Sequence, residues 1–389
     1  MSTISYSLVA ALFLLKGALA INTPFGYGAG TTGGGSATAA VPRSREELVS
    51  WLGDDTARVI LLDDVYDFTR TEVGSESGKG CKPWTCSGSD SGQVQVAIDF
   101  NGWCEEHEPN AEKISVTYDK AGTTSILVGS NKTLLGKGTA GAIKGKGLRI
   151  ANARNVIIRN IRISDINPEY VWGGDGLIIE SAEHIWIDHN YFKDIGRQFL
   201  VTVHTAESIT ISNNIFDGAS AYSPTCNGYH YWNVLFSGSP DSITFAKNYL
   251  TKTSGRGPRL DGSGKFQLVH IFNNYFHDIS GHALDAGGQS KVLLEGNYFN
   301  NVTEPATPDS NGSVFAPTDD TTAAECESYI GRKCIPSSLE SSGALDYQNI
   351  KGVSIFKNMG AVTEAEVMDA SQVKGYVLKY AGIGKVDVK

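Results

Sequence analysis

The chain repeats a short motif from about residue 127 onward, and this internal repeat restricts the fold more than any other feature of the sequence. Six copies follow one another: VIIRNIRISDI, IWIDHNYFKDI, ITISNNIFDGA, ITFAKNYLTKT, VHIFNNYFHDI and VLLEGNYFNNV. Each has β-type residues before an asparagine, and most have an apolar or aromatic pair after it. The asparagines are Asn160, Asn190, Asn214, Asn248, Asn274 and Asn297. Copies about 23 to 34 residues apart, with loop insertions between them, indicate a solenoid.

The composition of the repeat selects the kind of solenoid. The L-x-x-L-x-L pattern of leucine-rich repeats is missing, and β-branched and aromatic residues alternate with polar ones between closely spaced turn residues. The sequence therefore predicts an all-β fold, a right-handed parallel β-helix. We expect the asparagines to stack as a hydrogen-bonded ladder at one turn. Insertions become loops on one face and form a cleft there, and the longest precede Asn190 and Asn248.

The N-terminal region differs from the repeats. Leu8–Leu15 is apolar but too short to cross a bilayer, and Ala18-Leu19-Ala20 is a cleavage pattern, so residues 1–20 are predicted to be a signal peptide. A buried apolar segment is the alternative. Residues 21–389 are then predicted to form a single parallel β-helix domain. A loop-like lead-in, Gly26–Ala40, comes before a short helix at Ser44–Leu52, where Ser44 and Glu47 form a capping box.

Cysteines and glycosylation sequons both favour an oxidising, extracellular compartment. Six cysteines permit 15 pairings, so their spacing alone does not decide the disulfides. Zinc is the competing interpretation, but no CxxC or HxxxH spacing supports it. Glycosylation sequons begin at Asn131, Asn301 and Asn311.

The charge balance excludes some functions. The formal net charge is −9, which argues against nonspecific binding to nucleic acid or to an anionic membrane. An anionic polymer would need a local basic site on this chain. No cofactor or metal is expected, and we expect a monomer.

Three stretches interrupt the repeat with functional residue types. NPEYVWGGDGL places Trp172 beside glycines and Asp175, and DIGRQFL places Arg197 one coil later, so that these two charged side chains could pair. SGRGP and the residue after it hold Arg256 and Arg259 in a frame stiffened by proline. Taken alone, the first stretch is equally consistent with a packed turn and the second with a structural ion pair. The third is weak evidence alone, because exposed arginines are usually solvated surface.

Several tryptophans lie in turn-rich stretches, where they suit a carbohydrate cleft, because sugar rings stack on aromatic faces. Core packing is the alternative, and we favour it for Trp186. No GxSxG elbow and no histidine–acid pairing indicates a hydrolase triad. The loop tryptophans are Trp84, Trp103, Trp172 and Trp232.

Taken together, these stretches resemble the fungal pectin lyases, secreted relatives of the pectate lyases with a parallel β-helix. The matching segments include ELVSWLGDDTARVI, ISVTYDKAG, AIKGKGLRI, DINPEYVWGGDGL, WIDHN, IGRQ, CNGYHYW, SGRGP and NNYFHDISGHA. They run from about residue 31 to about residue 335, and the match weakens from about residue 340.

The resemblance implies endo-acting β-elimination on highly methyl-esterified pectin. Arg256 would face C5 and C6 of the uronate, either taking the C5 proton or stabilising the enolate. Asp175 would orient Arg197, which stands where the calcium-dependent branch carries a further acid, so no catalytic calcium is expected. Arg259 and the four loop tryptophans would bind substrate. The implied disulfides are Cys81–Cys104, Cys86–Cys226 and Cys326–Cys334.

One departure concerns YWNVLFSG, in which Asn233 and Ser237 replace the glycine and aspartate common in the family, so a substrate contact would differ. Three rival functions remain: a calcium-dependent pectate lyase, a polygalacturonase, and a non-enzymatic carbohydrate-binding β-helix. A polygalacturonase needs paired cleft aspartates, and no such pair stands on the repeat strands.

Overall fold

Short parallel strands dominate the molecule. The computed structural model describes residues 23–72, 75–86, 92–261, 264, 266–308 and 310–386. The predicted signal peptide, residues 1–20, lies outside this part of the chain. Of the strands in the described residues, 23 belong to one continuous hydrogen-bonded set whose pairings are parallel.

The strands are β1 (Ala39–Ala40), β2 (Arg58–Leu62), β3 (Val65–Asp67), β4 (Ser75–Lys82), β5 (Gln93–Val94), β6 (Val96–Ile98), β7 (Glu112–Asp119), β8 (Ile126–Val128), β9 (Lys132–Gly136), β10 (Ala142–Lys144), β11 (Leu148–Ala151), β12 (Arg154–Arg159), β13 (Arg162–Ile166), β14 (Tyr170–Val171), β15 (Leu177–Asp188), β16 (Tyr191–Ile195), β17 (Leu200–Ser212), β18 (Ile215–Asp217), β19 (Tyr222–Ser223), β20 (Val234–Phe236), β21 (Asp241–Ala246), β22 (Tyr249–Thr251), β23 (Arg259–Leu260), β24 (Gln267–Phe272), β25 (Tyr275–Ala286), β26 (Ser290–Glu295), β27 (Tyr298–Ala306), β28 (Ser313–Phe315) and β29 (Ser338–Glu340). The α-helices are α1 (Arg45–Gly53), α2 (Trp103–Glu106), α3 (Asp320–Ala324), α4 (Glu327–Ile330), α5 (Gly360–Thr363) and α6 (Ala370–Tyr380).

Each strand pairs with the equivalent strand of the next coil, so equivalent side chains stack in columns. One inward column runs through β12, β15, β17, β21, β24 and β26, and all of its members are buried β-branched aliphatic residues. They are Val156, Ile185, Ile209, Ile243, Val269 and Val292. Branched side chains suit this surface because they pack well on a pleated sheet. The prediction of a parallel β-helix is confirmed.

The asparagine ladder is present, with one correction. Each ladder asparagine donates Nδ2–H to the Oδ1 atom of the next, at 3.0 Å, from Asn190 to Asn297. The prediction that Asn160 belongs to this ladder is wrong. Arg162 pairs with Tyr191, so Ile161 stands in the ladder column, and its N–H donates to Asn190. Asn160 instead occupies the adjacent left-handed turn position, with φ of 59°, and donates to the carbonyls of residues 136 and 138.

The N-terminal elements behave as the sequence indicates. Ser44 caps α1 by accepting the N–H of Glu47, and α1 ends one residue later than predicted, at Gly53. The glycine-rich lead-in is irregular but fixed to the coils. At Gly33, where φ is 55°, a Cβ would collide with Thr133 Oγ1, so only glycine lets the segment approach this closely.

An insertion between β3 and β8 covers one side of the coils. It forms a four-stranded sheet in the order β14-β6-β4-β7, and β14 belongs to the loop before β15. It also supplies β5, which pairs with β19. Disulfides join Cys81 to Cys104 within the insertion and Cys86 to Cys226 across to the coils. These are pairs that the resemblance implied, as is Cys326–Cys334 beside α4.

The C-terminal helices pack on the outer surface of the coils. Val373 and Val377 of α6 form a buried cluster with Tyr275, which stands on β25. Within the described residues no helix is long and apolar enough to cross a membrane.

Candidate active site

Asp175 and Arg197 lie side by side on neighbouring coils, just before β15 and β17. The register pairs Leu177 with Leu200, which brings the preceding turns together. Arg197 Nη1 lies 3.3 Å from Asp175 Oδ2, and Asp175 Oδ1 accepts the N–H of Gln198 at 2.8 Å. The guanidinium also lies over the Trp172 ring, with Cζ 4.0 Å from the centroid. A carboxylate on one side and an indole on the other therefore fix the orientation of Arg197.

Arg256 occupies the equivalent turn two coils further on, before β23. Its φ is 51°, in the left-handed region that non-glycine residues seldom occupy. Hydrogen bonds hold this conformation: its N–H donates to His282 Nε2 at 3.2 Å, and its carbonyl accepts the N–H of Val234 at 2.8 Å. The following Gly257–Pro258 peptide bond is cis. The backbone of Arg256 is thus held by the coils before and after it.

The Arg256 guanidinium is half-buried, and no carboxylate of the described residues pairs with it. Its buried Nε has no hydrogen-bond partner. Cζ lies 4.6 Å from the Trp232 ring centroid and 5.9 Å from that of Tyr231. Burial lowers the pKa of Arg256 to about 10, and the positive charges of Arg259 and Arg197 act in the same direction.

Arg259 has a different environment from Arg256, although the two are three residues apart. It stands on β23, where the register pairs it with Asp285 of β25. Nη1 lies 3.5 Å from Asp285 Oδ2, and Nη2 lies 3.2 Å from Asp261 Oδ2. About a third of the side chain remains exposed. Arg259 is therefore a partly neutralised cation that is still open to a ligand.

The four predicted loop tryptophans belong to one aromatic cluster. Trp84 lies 6.0 Å from Trp232, and Trp103 lies 6.2 Å from Trp172, between ring centroids. All four pack against a small buried core that includes the Cys81–Cys104 disulfide. Phe100, which the sequence analysis did not single out, stacks on Trp172 at 5.5 Å. The insertion and the coils thus contribute two tryptophans each, whereas Trp186 is buried at 2% exposure in the coil structure.

Three residues that contact the arginines were not identified from the sequence as site residues. His282 accepts the N–H of Arg256, and burial lowers its pKa. Gln95 and His230 are both buried and hydrogen-bond to the backbone around Arg197. Gln95 lies in QVQVAID, where polar and apolar residues alternate as in any half-buried strand, so the sequence does not single it out. His230 lies in the segment CNGYHYW, but the sequence does not show that this segment contacts Arg197.

Asn233, which replaces a glycine common in the related family, does not contribute to the exposed surface. Asn233 is fully buried, and neither polar atom of its side chain has a partner in the structure. Ser237 is partly exposed, but its hydroxyl donates to the Thr202 carbonyl at 2.7 Å. Asn233 therefore lies too deep to touch a polymer, and the expected difference in a substrate contact does not apply to it.

The predicted glycosylation sites differ in accessibility. Asn301 and Asn311 are exposed. Asn131 is half-buried, and its Oδ1 accepts a hydrogen bond from Asn155 Nδ2 at 2.8 Å. Occupancy of these sites stays a prediction, with Asn301 and Asn311 the more accessible pair.

The donor set around Asp175 and Arg197 does not fit a calcium ion. Calcium takes six to eight oxygen ligands, usually with several carboxylates among them. Here Asp175 is paired with Arg197, and two further acids, Asp261 and Asp285, are paired with Arg259. In the part of the chain that the structure describes, no group of three or more acidic, histidine or cysteine side chains is arranged to hold a metal.

Comparison with known proteins defines the family. The family model described as "Pectate lyase" matches residues 2–386, so the chain belongs to the pectate lyase family, a family of polysaccharide lyases. Within this family it groups with fungal pectin lyases. It is 46% identical to "Probable pectin lyase A" of Aspergillus fumigatus over 93% of each chain. It is 48% identical to "Probable pectin lyase D" of Aspergillus niger, over 84% of this chain and 86% of that one.

The fold is shared with solved structures. A pectate lyase from Bacillus sp. N165 in complex with trigalacturonate superposes with a TM-score of 0.56 at 20% identity, covering 94% of this chain and all of the other. At that identity the likeness concerns the fold alone.

Proposed function

We propose that the protein is an endo-acting pectin lyase, which cleaves methyl-esterified polygalacturonan by β-elimination without catalytic calcium. The observation that carries the proposal is the state of Arg256: a half-buried guanidinium, paired with no carboxylate of the described residues, which lies against Trp232. The names of the fungal relatives support the same activity.

The chemistry of the substrate explains why arginines suit the cleft. The C5 proton of a methyl galacturonate lies next to the C6 ester carbonyl, and removing it places negative charge on that carbonyl oxygen. The C4–O bond then breaks, the C4=C5 double bond forms, and the departing oxygen takes up a proton. Preorganised cations stabilise such a developing charge strongly in a site that excludes water. A neutral ester requires one charge to be stabilised, whereas a free carboxylate would require two.

We assign separate roles to the three arginines. Arg256 faces C5 and C6, as proton acceptor or as partner of the enolate oxygen. Arg197, oriented by Asp175 and Trp172, supplies fixed positive charge at the position where the calcium-dependent relatives use an ion. Arg259 is shared between Asp261 and Asp285 and remains partly exposed, so it suits binding to a carbonyl or a residual carboxylate of a neighbouring sugar.

The tryptophan cluster accounts for the preference for an esterified polymer. Methyl esters remove charge from the polymer and add apolar surface, and aromatic faces bury such surface effectively. Trp84, Trp103, Trp172 and Trp232 form this surface beside the arginines. The overall charge of −9 would repel a highly anionic polymer at long range, so the few cations act locally.

Secretion and a monomeric state complete the proposal. Three disulfides suit an oxidising compartment. N-terminal sequencing of the exported protein should begin at Ile21, and size-exclusion chromatography with light scattering should give the mass of one chain. An uncleaved N-terminus or a dimer mass would contradict these two points.

The reaction type is tested by following two products on highly esterified pectin. β-Elimination creates one unsaturated end, detected by ultraviolet absorbance, for each new reducing end. We expect the two signals to rise together, with viscosity falling early because cleavage is internal. New reducing ends without absorbance would show hydrolysis, and binding without either signal would show a non-catalytic protein.

A further inference from the structure

One short segment of the insertion crosses from one cleft loop to another. Gln93–Val94 pairs with Tyr222–Ser223, and Val96–Ala97 pairs with Tyr170–Val171. Gln95 stands between these pairings, and its N–H donates to the Ser223 carbonyl at 3.2 Å. The Cys86–Cys226 disulfide holds the same region against the coils. The position of Gln95 is therefore defined by main-chain contacts on both sides.

The Gln95 side chain is fully buried and uses both ends of its amide. Nε2 donates to the carbonyls of Pro168, at 3.0 Å, and of Gly196, at 2.6 Å. Oε1 accepts the indole N–H of Trp232 at 2.9 Å. The partners decide which way the amide points, because the reverse orientation would place its oxygen against two carbonyl oxygens. One side chain thus joins three segments of the cleft.

His230 makes a second connection between two of these segments. Its Nε2 lies 2.8 Å from the Arg197 carbonyl and 2.7 Å from the Trp232 carbonyl. Both partners are acceptors, so Nε2 must carry a proton. The ring is buried and stacks on Phe199 at 4.5 Å between centroids, and burial lowers its pKa to about 4. With that pKa, His230 is a neutral donor above about pH 5.

The two side chains act on consecutive carbonyls. Gln95 holds the carbonyl of Gly196, and His230 holds that of Arg197. Both are also bonded to Trp232, one at its indole nitrogen and the other at its carbonyl. Trp232 is the residue on which Arg256 lies. A continuous set of buried hydrogen bonds therefore connects the backbone of Arg197 to the aromatic support of Arg256, across the coil between them.

We infer that Gln95 and His230 are positioning residues that fix Arg197 and Arg256 relative to each other. This inference rests on the proposed lyase function, because the two arginines must act on one sugar for their spacing to matter. Neither side chain is accessible to the polymer, so removing its hydrogen bonds acts mainly on the spacing of the two arginines and hence on the rate of the chemical step. Binding of the substrate changes only through Trp232. Displacement of a reacting group by about 1 Å is enough to lower a rate by about a hundredfold.

The test compares removal of the hydrogen bonds with their replacement. Gln95→Leu and His230→Leu remove them, Gln95→Glu keeps only the acceptor for Trp232, and His230→Gln keeps a donor at the Nε2 position. Gln267→Leu is the matched control. Gln267 is equally buried and donates to two carbonyls, those of Phe236 and Gly238, outside this set of bonds. The melting temperature of each variant is measured first. Its kcat and KM are then measured on highly esterified pectin, at a temperature well below the melting temperature.

We expect both leucine variants to lose about tenfold or more in kcat, with KM changing by a smaller factor than kcat. His230→Gln should recover most of the loss, and Gln267→Leu should keep wild-type kcat even if its melting temperature falls. If a leucine variant does not fold, Gln95→Glu and His230→Gln decide, and only the glutamate variant should be slow. The inference is overturned if the Gln95 and His230 variants lose no more kcat than Gln267→Leu, or if only KM changes. An inactive wild-type protein in the same assay would instead refute the proposed function.

Discussion

The guanidinium carbon of Arg256 lies 4.6 Å from the centroid of the Trp232 indole, and Trp232 is itself hydrogen-bonded to the buried Gln95. A cation without a carboxylate partner keeps its full charge for a ligand. An aromatic face stabilises that charge by a modest amount, about 0.5 to 2 kcal/mol, and does not neutralise it. Arg256 therefore presents an unneutralised positive charge beside an aromatic face.

Replacement of Arg256 tests its place in the reaction. We expect Arg256→Ala and Arg256→Lys to lower kcat by about a thousandfold, equivalent to about 4 kcal/mol of transition-state stabilisation, since lysine cannot reproduce the planar contact with Trp232. Unsaturated-product formation gives the rate. Arg162→Ala is the control, because Arg162 also lies over an aromatic ring, that of Tyr191 at 5.3 Å, but is exposed. Near-wild-type turnover by Arg256→Ala would remove Arg256 from the mechanism.

The pH dependence of kcat separates the two roles open to Arg256. Its pKa is lowered to about 10, so about one molecule in a thousand carries a neutral guanidine at pH 7. If the neutral form takes the C5 proton, kcat rises about tenfold per pH unit toward pH 10. If the cation stabilises the enolate, kcat stays level and falls above that pH. A stopped-flow profile with brief exposure to high pH distinguishes these, and the profile of Arg256→Lys identifies the group responsible.

The Asp175–Arg197 pair should act as a unit. Asp175→Asn keeps an oxygen for the Gln198 N–H but removes the charge that faces Arg197 at 3.3 Å. We expect a loss of about tenfold in kcat from Asp175→Asn and a larger loss from Arg197→Ala, and the double variant should be little worse than Arg197→Ala alone. Additive losses in this double-mutant cycle would show that Asp175 acts independently of Arg197.

Asp241 has a buried carboxyl whose ionisation should affect the stability of the fold. It is buried, it accepts hydrogen bonds from Thr202 and from the N–H of Ala206, and burial raises its pKa from 3.8 to about 7. Because the folded-state pKa is the higher one, its contribution to stability is fully present below about pH 4 and is lost as pH rises through 7. Asp241→Asn should therefore raise the melting temperature relative to wild type more at pH 8 than at pH 5. Equal differences at both pH values would contradict the raised pKa.

The sequence predicts the repeat architecture well because each coil carries the same local pattern. The error at Asn160 has a physical cause. Asparagine is accepted at two neighbouring turn positions, one in the ladder and one with positive φ. The residue type therefore does not show which of the two positions an asparagine occupies. Asn213 and Asn214, which occupy both positions in the same coil, show the ambiguity directly.

The arginines and tryptophans of the candidate site stand out in the sequence through their motifs, but the residues that hold them in place do not. Gln95 lies about a hundred residues or more from Gly196 and Trp232 along the chain, and its strand pairs with loops whose paths depend on the whole set of coils. His230 contacts Arg197 through the backbone, and such contacts leave no pattern in a single sequence.

The most direct test of the central claim compares two polymers with and without chelator. Wild-type protein is assayed by product absorbance on highly methyl-esterified pectin and on fully de-esterified polygalacturonate, each with EDTA or with added calcium. We predict fast turnover of the esterified polymer that EDTA leaves unchanged, and little turnover of the de-esterified polymer even with calcium. Activity confined to the de-esterified polymer and abolished by EDTA would contradict the proposal that Arg197 and Arg256 supply the positive charge in place of a calcium ion.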